Sequence, residues 1–297
     1  MLPHQILARN IIGVADYLGI DPTYLPKIQK LRKLDSNARE RAKKIPQNIT
    51  PLADIFALQE AFDTDARTTL IEEMKRNGVP YSSGIQQRSS LYSLRLTNSG
   101  LITLSKFPIT NIKNNYYQDS FKNQSGIPSI NSDRMADKGV LYTRIEKNNK
   151  PYHILSTHLQ SRTMKAAGDI RLKQLTRLST VMDAMNIPQN EPVFIVGDFN
   201  IDSHNKESRP DQQEEYKRLF EHLDVTPVLP KKDQPPYTAP FNQSQTERFN
   251  SEGEVIDHIF YSNKHRKPTT AYLTVEKQLG SLSDHYPIVG HFEFEGY

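Results

Sequence analysis

Apolar residues in this chain gather in short runs separated by polar stretches. Ile55-Phe56-Ala57-Leu58 and Val193-Phe194-Ile195-Val196 are continuous apolar runs, the pattern of strands buried on both faces. Residues 6–13, 100–105, 255–261, 270–275 and 288–294 read as further strands. Residues 139–147 and 151–159 read as a hairpin about Asn148-Asn149, whose side chains tolerate the positive φ of such a turn. Two stretches carry helical spacing instead. Residues 64–77 place Ala66, Leu70 and Met74 four apart and stop at Gly78, and residues 166–186 set Leu175, Leu178, Met182 and Met185 on one stripe. Strands outnumber helices and the two kinds alternate, which predicts an α/β fold of packed sheets with helices outside. The polar segments 111–137, 202–213 and 230–245 read as loops, the last with Pro235-Pro236 and Pro240. With no internal repeat, one domain over residues 1–297 is the simpler organisation.

Composition narrows the class. With 36% hydrophobic and 24% charged residues in 297, the chain is neither disordered, collagenous nor a coiled coil. The absence of cysteine excludes a disulfide scaffold, a cysteine zinc site and a thiol nucleophile. Thirty-eight Lys and Arg against 34 Asp and Glu leave a net charge of +4 spread along the sequence, which by itself does not indicate nucleic acid. No run approaches the ~20 apolar residues needed to span a bilayer. Met1-Leu2-Pro3-His4 lacks the basic and apolar regions of a signal peptide, so the expectation is a soluble chain with any signal removed.

The chemically capable residues fall at predicted strand ends. In Ala57-Leu58-Gln59-Glu60, alternation puts Glu60 on the face of Phe56 and Leu58, where a carboxylate must be paired or hold a cation. Taken alone, the motif is better explained by a solvated strand end or an ion pair with a nearby Arg. Asp198 and Asn200, in Gly197-Asp198-Phe199-Asn200, share one side if the chain stays extended, offering a carboxylate and an amide to one ligand; an Asx turn is the alternative, which explains either residue alone better than both together. His158 closes another strand, and Asp257 interrupts the apolar Val255-Ile256-Asp257-His258-Ile259. Ser283-Asp284-His285-Tyr286-Pro287 sets an acid beside a His, as in a general base with an acidic neighbour.

The ordered set Asn10, Gln59-Glu60, Thr157-His158, Gly197-Asp198-Phe199-Asn200, Ile256-Asp257 and Ser283-Asp284-His285 resembles the endonuclease/exonuclease/phosphatase superfamily of metal-dependent phosphodiesterases. Glu60-Ala61-Phe62-Asp63, Asp137-Lys138-Gly139-Val140-Leu141-Tyr142 and Thr157-His158-Leu159-Gln160-Ser161 are similar to its neutral sphingomyelinase and bacterial sphingomyelinase C branch. The resemblance implies a four-layer αββα sandwich of two packed mixed sheets flanked by helices. It implies that Glu60 and Asn10 hold Mg²⁺, with Mn²⁺ or Co²⁺ as alternatives, through hard oxygen ligands. It implies that His285 is the general base with Asp257 orienting its ring and Asp284 as acidic neighbour. His158 and Asn200 would then stabilise the transition state, Asp198 would assist the leaving group or a water near the metal, and Lys138 would touch the phosphate.

The implied activity is hydrolysis of sphingomyelin to ceramide and phosphocholine by a secreted, monomeric enzyme in peripheral contact with a membrane. An endonuclease or other phosphodiesterase on the same fold, and an idle binding module, are the alternatives. Toxins of this branch carry a hairpin with exposed aromatics before the Asp-His motif; here residues 273–283 contain no Phe, Tyr or Trp. The basic stretch 27–44 reads as a solvated helical face, with an anionic-lipid surface as the other reading.

Overall fold

The computed structural model describes residues 4–10, 38–84, 99–117, 138–162, 164–204, 210–231, 237–241, 252–277 and 282–297, with 4–10 and 210 described by backbone alone. The strands are β1 (His4–Asn10), β2 (Ile55–Gln59), β3 (Tyr81–Ser82), β4 (Ile102–Ser105), β5 (Ile109–Tyr116), β6 (Gly139–Lys147) and β7 (Lys150–His158). They continue as β8 (Val193–Asp198), β9 (Val225–Pro227), β10 (Ala239–Pro240), β11 (Gly253–Glu254), β12 (Asp257–Ser262), β13 (Thr270–Val275) and β14 (Ile288–Glu293). The helices are α1 (Ala38–Ile49), α2 (Thr64–Arg76), α3 (Lys165–Ala184) and α4 (Pro210–His222).

Two six-stranded sheets form, in the orders β13-β14-β1-β2-β4-β3 and β5-β6-β7-β8-β12-β9. The period-2 alternation of strand side chains assigns each strand residue to a layer. Phe56 and Leu58 pack under α1 and α2 with Ala42, Ile45, Leu70 and Met74. Ile55 and Ala57, one residue out of step, meet Ile154, Phe194, Val196, Ile288 and Phe292 between the sheets. Leu155, Ile195 and Phe260 point the other way, against Leu175, Leu178 and Leu219 of α3 and α4. Phe194 and Phe292, from opposite sheets, approach to 4.4 Å between ring centroids. The result is the expected αββα order, and it explains why the central strands are apolar on both faces.

The Asn148-Asn149 turn has φ of 53° and 59° and joins β6 to β7 in the expected register. Ala66, Leu70 and Met74 of α2, and Leu175, Leu178 and Met182 of α3, are buried as their spacing predicts.

Three expectations change. Residues 111–116, read as loop, belong to β5, an edge strand paired with β6 and largely exposed. Its Asn and Lys residues write no apolar alternation because the strand is at most partly covered, and a polar edge resists pairing with other chains. Residues 210–213, also read as loop, begin α4, where Pro210 takes the first helical turn in which a missing N–H costs nothing. Within 230–245, Ala239–Pro240 pairs with Gly253–Glu254 as a small ribbon. The basic stretch includes the start of α1, on which Lys43 and Lys44 are exposed while Ala42 and Ile45 are buried. Asp137, residues 11–37, and Pro235-Pro236 lie outside the described residues.

Candidate active site

β7 runs parallel to β8, and β8 antiparallel to β12, in a register that places His158 opposite Asp198 and Asp198 opposite Asp257. The three side chains form one row across neighbouring strands. They lie on the face that holds Ile154, Phe194, Val196 and Ile259 lower down, so the row closes one end of the inter-sheet core. His158 is 2% exposed, Asp198 and Asp257 3% each. Gly197 makes the row possible. Its φ is +143°, and a Cβ there would stand 1.9 Å from the Thr157 carbonyl oxygen on the paired strand.

The first sheet contributes from across the sandwich. β1 and β2 are parallel, with Asn10 opposite Gln59 in register, so their ends lie side by side. Strict alternation would turn Glu60 toward the helix layer with Phe56 and Leu58. Glu60 instead has a φ of 58°, which breaks the alternation as the strand ends. Its Oε1 lies 3.8 Å from His158 Nε2, and Asp198 Oδ2 lies 3.4 Å from the same nitrogen.

Lys138 is buried, with Nζ 3.1 Å from His158 Nε2, and donates to the Leu159 carbonyl at 2.5 Å. Asn200 also has left-handed φ, 53°. Its amide N–H donates to Asp198 Oδ1 at 2.8 Å, the Asx turn that the sequence offered as the alternative. Its side chain nonetheless turns to the same place, Nδ2 donating to the Leu159 carbonyl at 3.2 Å. The chain is not extended there, yet Asp198 and Asn200 converge.

His285 completes the group from the segment before β14. Its Nδ1 lies 2.8 Å from Asp257 Oδ2. The ring partner is therefore Asp257, 28 residues away in sequence, while Asp284 is exposed. Ligand atoms of Asp198, Asp257 and His285 all fall within 4.8 Å of one another. Burial, and then the Asp257 charge, push the Asp198 carboxyl up to about 7 against the pull of His285, Lys138 and the Asn200 amide. Burial pulls the His285 imidazole down, but Asp257, through its charge and its hydrogen bond, together with Asp198 and Asp284, outweighs it and raises the ring to about 10.

Sequence reasoning missed the support beneath this group. Thr238, in a segment read only as a proline-bearing loop, donates from Oγ1 to Asp257 Oδ2 at 2.7 Å. Arg171 of α3, fully buried, forks onto Glu215 of α4 at 2.5 and 2.8 Å and donates to the carbonyls of Gln160 and Arg162 at 2.8 and 2.6 Å. It ties the loop after His158 to both helices. An Arg on a mixed helix face gives no sign of this in the sequence, because its partner lies 44 residues away.

The donor set suits a hard divalent cation. Asp198 and Asp257 are two buried carboxylates held together, an arrangement that calls for positive charge between them, and Glu60 adds a third, partly exposed carboxylate across the cleft. The buried Gln59 Oε1 has no hydrogen-bond partner among the described residues and stands at the same strand end.

A family model described as the Endonuclease/Exonuclease/phosphatase family matches residues 29–285. Sphingomyelinase C 2 of Leptospira interrogans is 30% identical over 319 residues, covering 97% of this chain and 47% of that protein. Phospholipase C of Staphylococcus aureus is 28% identical over 264 residues, 79% of this chain and 74% of that one. The chain thus spans about half the length of the Leptospira relatives it matches, 47% in each of two. Among solved structures, sphingomyelinase C from Streptomyces griseocarneus superposes with a TM-score of 0.76 at 22% identity over 99% of this chain and 100% of that one. A magnesium-bound mutant of β toxin from Staphylococcus aureus gives 0.75 at 23% identity, over 98% and 100%. On this evidence the chain belongs to the endonuclease/exonuclease/phosphatase family.

Proposed function

We propose that this chain is a single-domain, Mg²⁺-dependent phosphodiesterase that hydrolyses sphingomyelin to ceramide and phosphocholine. The observation that carries the reading is the row His158, Asp198, Asp257 closed by His285 on Asp257 and faced by Glu60. Buried acids and imidazoles gathered at one sandwich edge suit in-line displacement at phosphorus, where negative charge grows on the phosphoryl oxygens. Glu60 and Asn10 would hold the cation, with Mn²⁺ or Co²⁺ as substitutes; bound there, it supplies positive charge against those oxygens.

His285, held through Nδ1 by Asp257, takes a proton at Nε2 from the attacking water. The water oxygen bonds to phosphorus as the bond from phosphorus to the ceramide oxygen breaks. Asp198, whose carboxyl titrates near 7, is suited to hand a proton to that departing oxygen. His158 and Asn200 stabilise the phosphoryl oxygens in the transition state, and Lys138, beside His158, touches the phosphate. Asp284 adds negative charge near His285 from the surface. The lipid reading over a nuclease follows the relatives' names and the modest +4 charge. We further propose a secreted monomer in peripheral membrane contact; no helix among the described residues is long and apolar enough to cross a membrane.

The test is a parallel assay on sphingomyelin, other phospholipids, inositol phosphates and plasmid DNA, with Mg²⁺ and with EDTA. Release of phosphocholine from sphingomyelin in Mg²⁺ alone supports the reading. Cleavage of DNA with sphingomyelin untouched makes the chain a nuclease.

A further inference from the structure

Thr238 is 1% exposed and sits beside the β10–β11 ribbon, outside both main sheets. A threonine hydroxyl has one hydrogen to give and two lone pairs to accept with. Both lone pairs face donors: the Ile256 and Asp257 amides point at Oγ1 from 3.3 and 3.2 Å. The hydrogen is left for an acceptor. Asp257 Oδ2 stands at 2.7 Å, and the other acceptor among the described residues, the Glu254 carbonyl, at 3.5 Å.

That choice constrains the histidine. Asp257 Oδ2 is the same oxygen that meets His285 Nδ1 at 2.8 Å. An oxygen receiving the Thr238 proton acts there as an acceptor, so the hydrogen in the contact with His285 belongs to Nδ1. In the neutral ring the lone pair then lies on Nε2. Thr238 also fixes the segment that carries the histidine, since its carbonyl accepts from the Tyr286 amide at 2.7 Å, while its own amide donates to Glu254 O at 2.7 Å. One residue thereby joins the start of β12, the His285 segment and the ribbon.

We propose that Thr238 is a positioning residue for the Asp257–His285 pair, holding Asp257 as an acceptor so that His285 keeps its Nε2 lone pair toward the reacting water. The catalytic part of this inference rests on the reading of His285 as general base; the tautomer part does not.

The test compares Thr238→Val, which removes the hydroxyl at nearly constant shape, with Thr238→Ser, which keeps it. The first readout needs no substrate: the imidazole ¹⁵N and low-field ¹H resonances of His285, assigned by their loss in His285→Ala and followed as pH is raised until the ring is neutral, since only the neutral imidazole has a tautomer. Thr238→Val is expected to broaden or lose the Nδ1–H signal and admit the other tautomer, and Thr238→Ser to restore it. The second readout is kinetic. Turnover in Thr238→Val should fall about 10- to 100-fold, the scale seen when a group orienting a functional histidine is lost, with KM nearly unchanged and recovery in the serine variant. Thr238→Ala serves the same comparison if the valine variant does not fold. A wild-type tautomer in a folded variant without the hydroxyl, or no rescue by serine, overturns the proposal. If wild type leaves sphingomyelin intact while the tautomer still follows the hydroxyl, the substrate reading has failed and the positioning role stands.

Discussion

Asp198 lies directly opposite Asp257 in the β8–β12 ladder, two carboxylates buried to 3% exposure at the mouth of an apolar core. Like charges opposite one another on a sheet face destabilise it, and burial deepens the cost. His285 on one side and Lys138 on the other offset part of it. The pair is therefore a strained feature that a cation would relieve.

This arrangement sets the pH dependence of stability in the metal-free protein. His285 is raised from 6.5 to about 10, so its contribution is fully present below about 6.5 and is lost as pH rises toward 10. Asp198 is raised from 3.8 to about 7, so folding becomes less favourable as pH climbs through that interval. Both act in one direction. In EDTA the melting temperature should fall from pH 6.5 to 10, and His285→Ala should flatten that fall. Equal slopes for wild type and variant would show that the Asp257–His285 pair is not linked to folding as described.

Removal of Glu60 should act on the metal and spare the fold. Its side chain is 31% exposed and packs no core, while its Oε1 faces His158 across the cleft. Glu60→Gln is expected to lower Mg²⁺ affinity in calorimetric titration and to cut hydrolysis by about 100-fold or more, with thermal unfolding in EDTA little changed. Wild-type Mg²⁺ affinity in this variant would remove Glu60 from the cation's ligands.

The two histidines should fail differently. If His285 is the proposed base, His285→Ala loses about 10²- to 10⁴-fold in turnover and abolishes the rise of activity with pH through an imidazole titration. His158→Ala, which takes away the proposed charge stabilisation, should lose about 10²- to 10³-fold and keep that pH rise. A His285→Ala enzyme within tenfold of wild type would sink the assignment.

The Arg171–Glu215 pair bears on stability. Arg171→Leu leaves Glu215 buried without its fork and frees the Gln160 and Arg162 carbonyls, at a cost of about 3–5 kcal/mol by urea unfolding. Replacing both partners by apolar residues should recover much of that. A single variant as stable as wild type would show that the pair contributes little.

Much of this was legible in the sequence for physical reasons. Strands such as β2 and β8 are apolar on both faces because helices and the opposing sheet cover them, and the Asn148-Asn149 turn advertises its φ. The row of functional groups was legible through resemblance, since His158, Asp198 and Asp257 close three different strands that only the sheet register aligns. Glu60 was placed on the wrong face because a left-handed φ at a glutamate has no signature in residue type. β5 was missed because an exposed edge strand has no buried face to write an alternation. Thr238 was missed because a hydroxyl's partners are set by tertiary contact alone.

The last prediction concerns how the protein meets a lipid surface. Residues 273–283, where the resemblance would set the toxins' hairpin, offer only Leu273, Leu279 and Leu282 as sizeable apolar residues. Leu273 is 7% exposed within the inter-sheet core, and Leu282 packs against the cluster under α1 and α2, so neither is available to a bilayer; Leu279 lies outside the described residues. Among the described residues the exposed large apolar side chains are Tyr81, Ile112, Met164 and Leu229, which come from four different parts of the chain. An interfacial anchor needs contiguous apolar or amphipathic area. What this protein brings instead is a net charge of +4, including the exposed Lys43 and Lys44 of α1. Each basic residue near an anionic surface contributes about 1 kcal/mol, within a Debye length of about 10 Å at 0.1 M salt. Co-sedimentation should therefore show weak binding to neutral sphingomyelin vesicles, stronger binding when anionic lipid is added, and loss of that gain as salt rises. Sphingomyelin in detergent micelles, where the head group is reached without an anchor, should be hydrolysed well throughout. Tight binding to neutral vesicles that salt does not weaken would mean that an apolar surface outside these residues holds the protein to the bilayer.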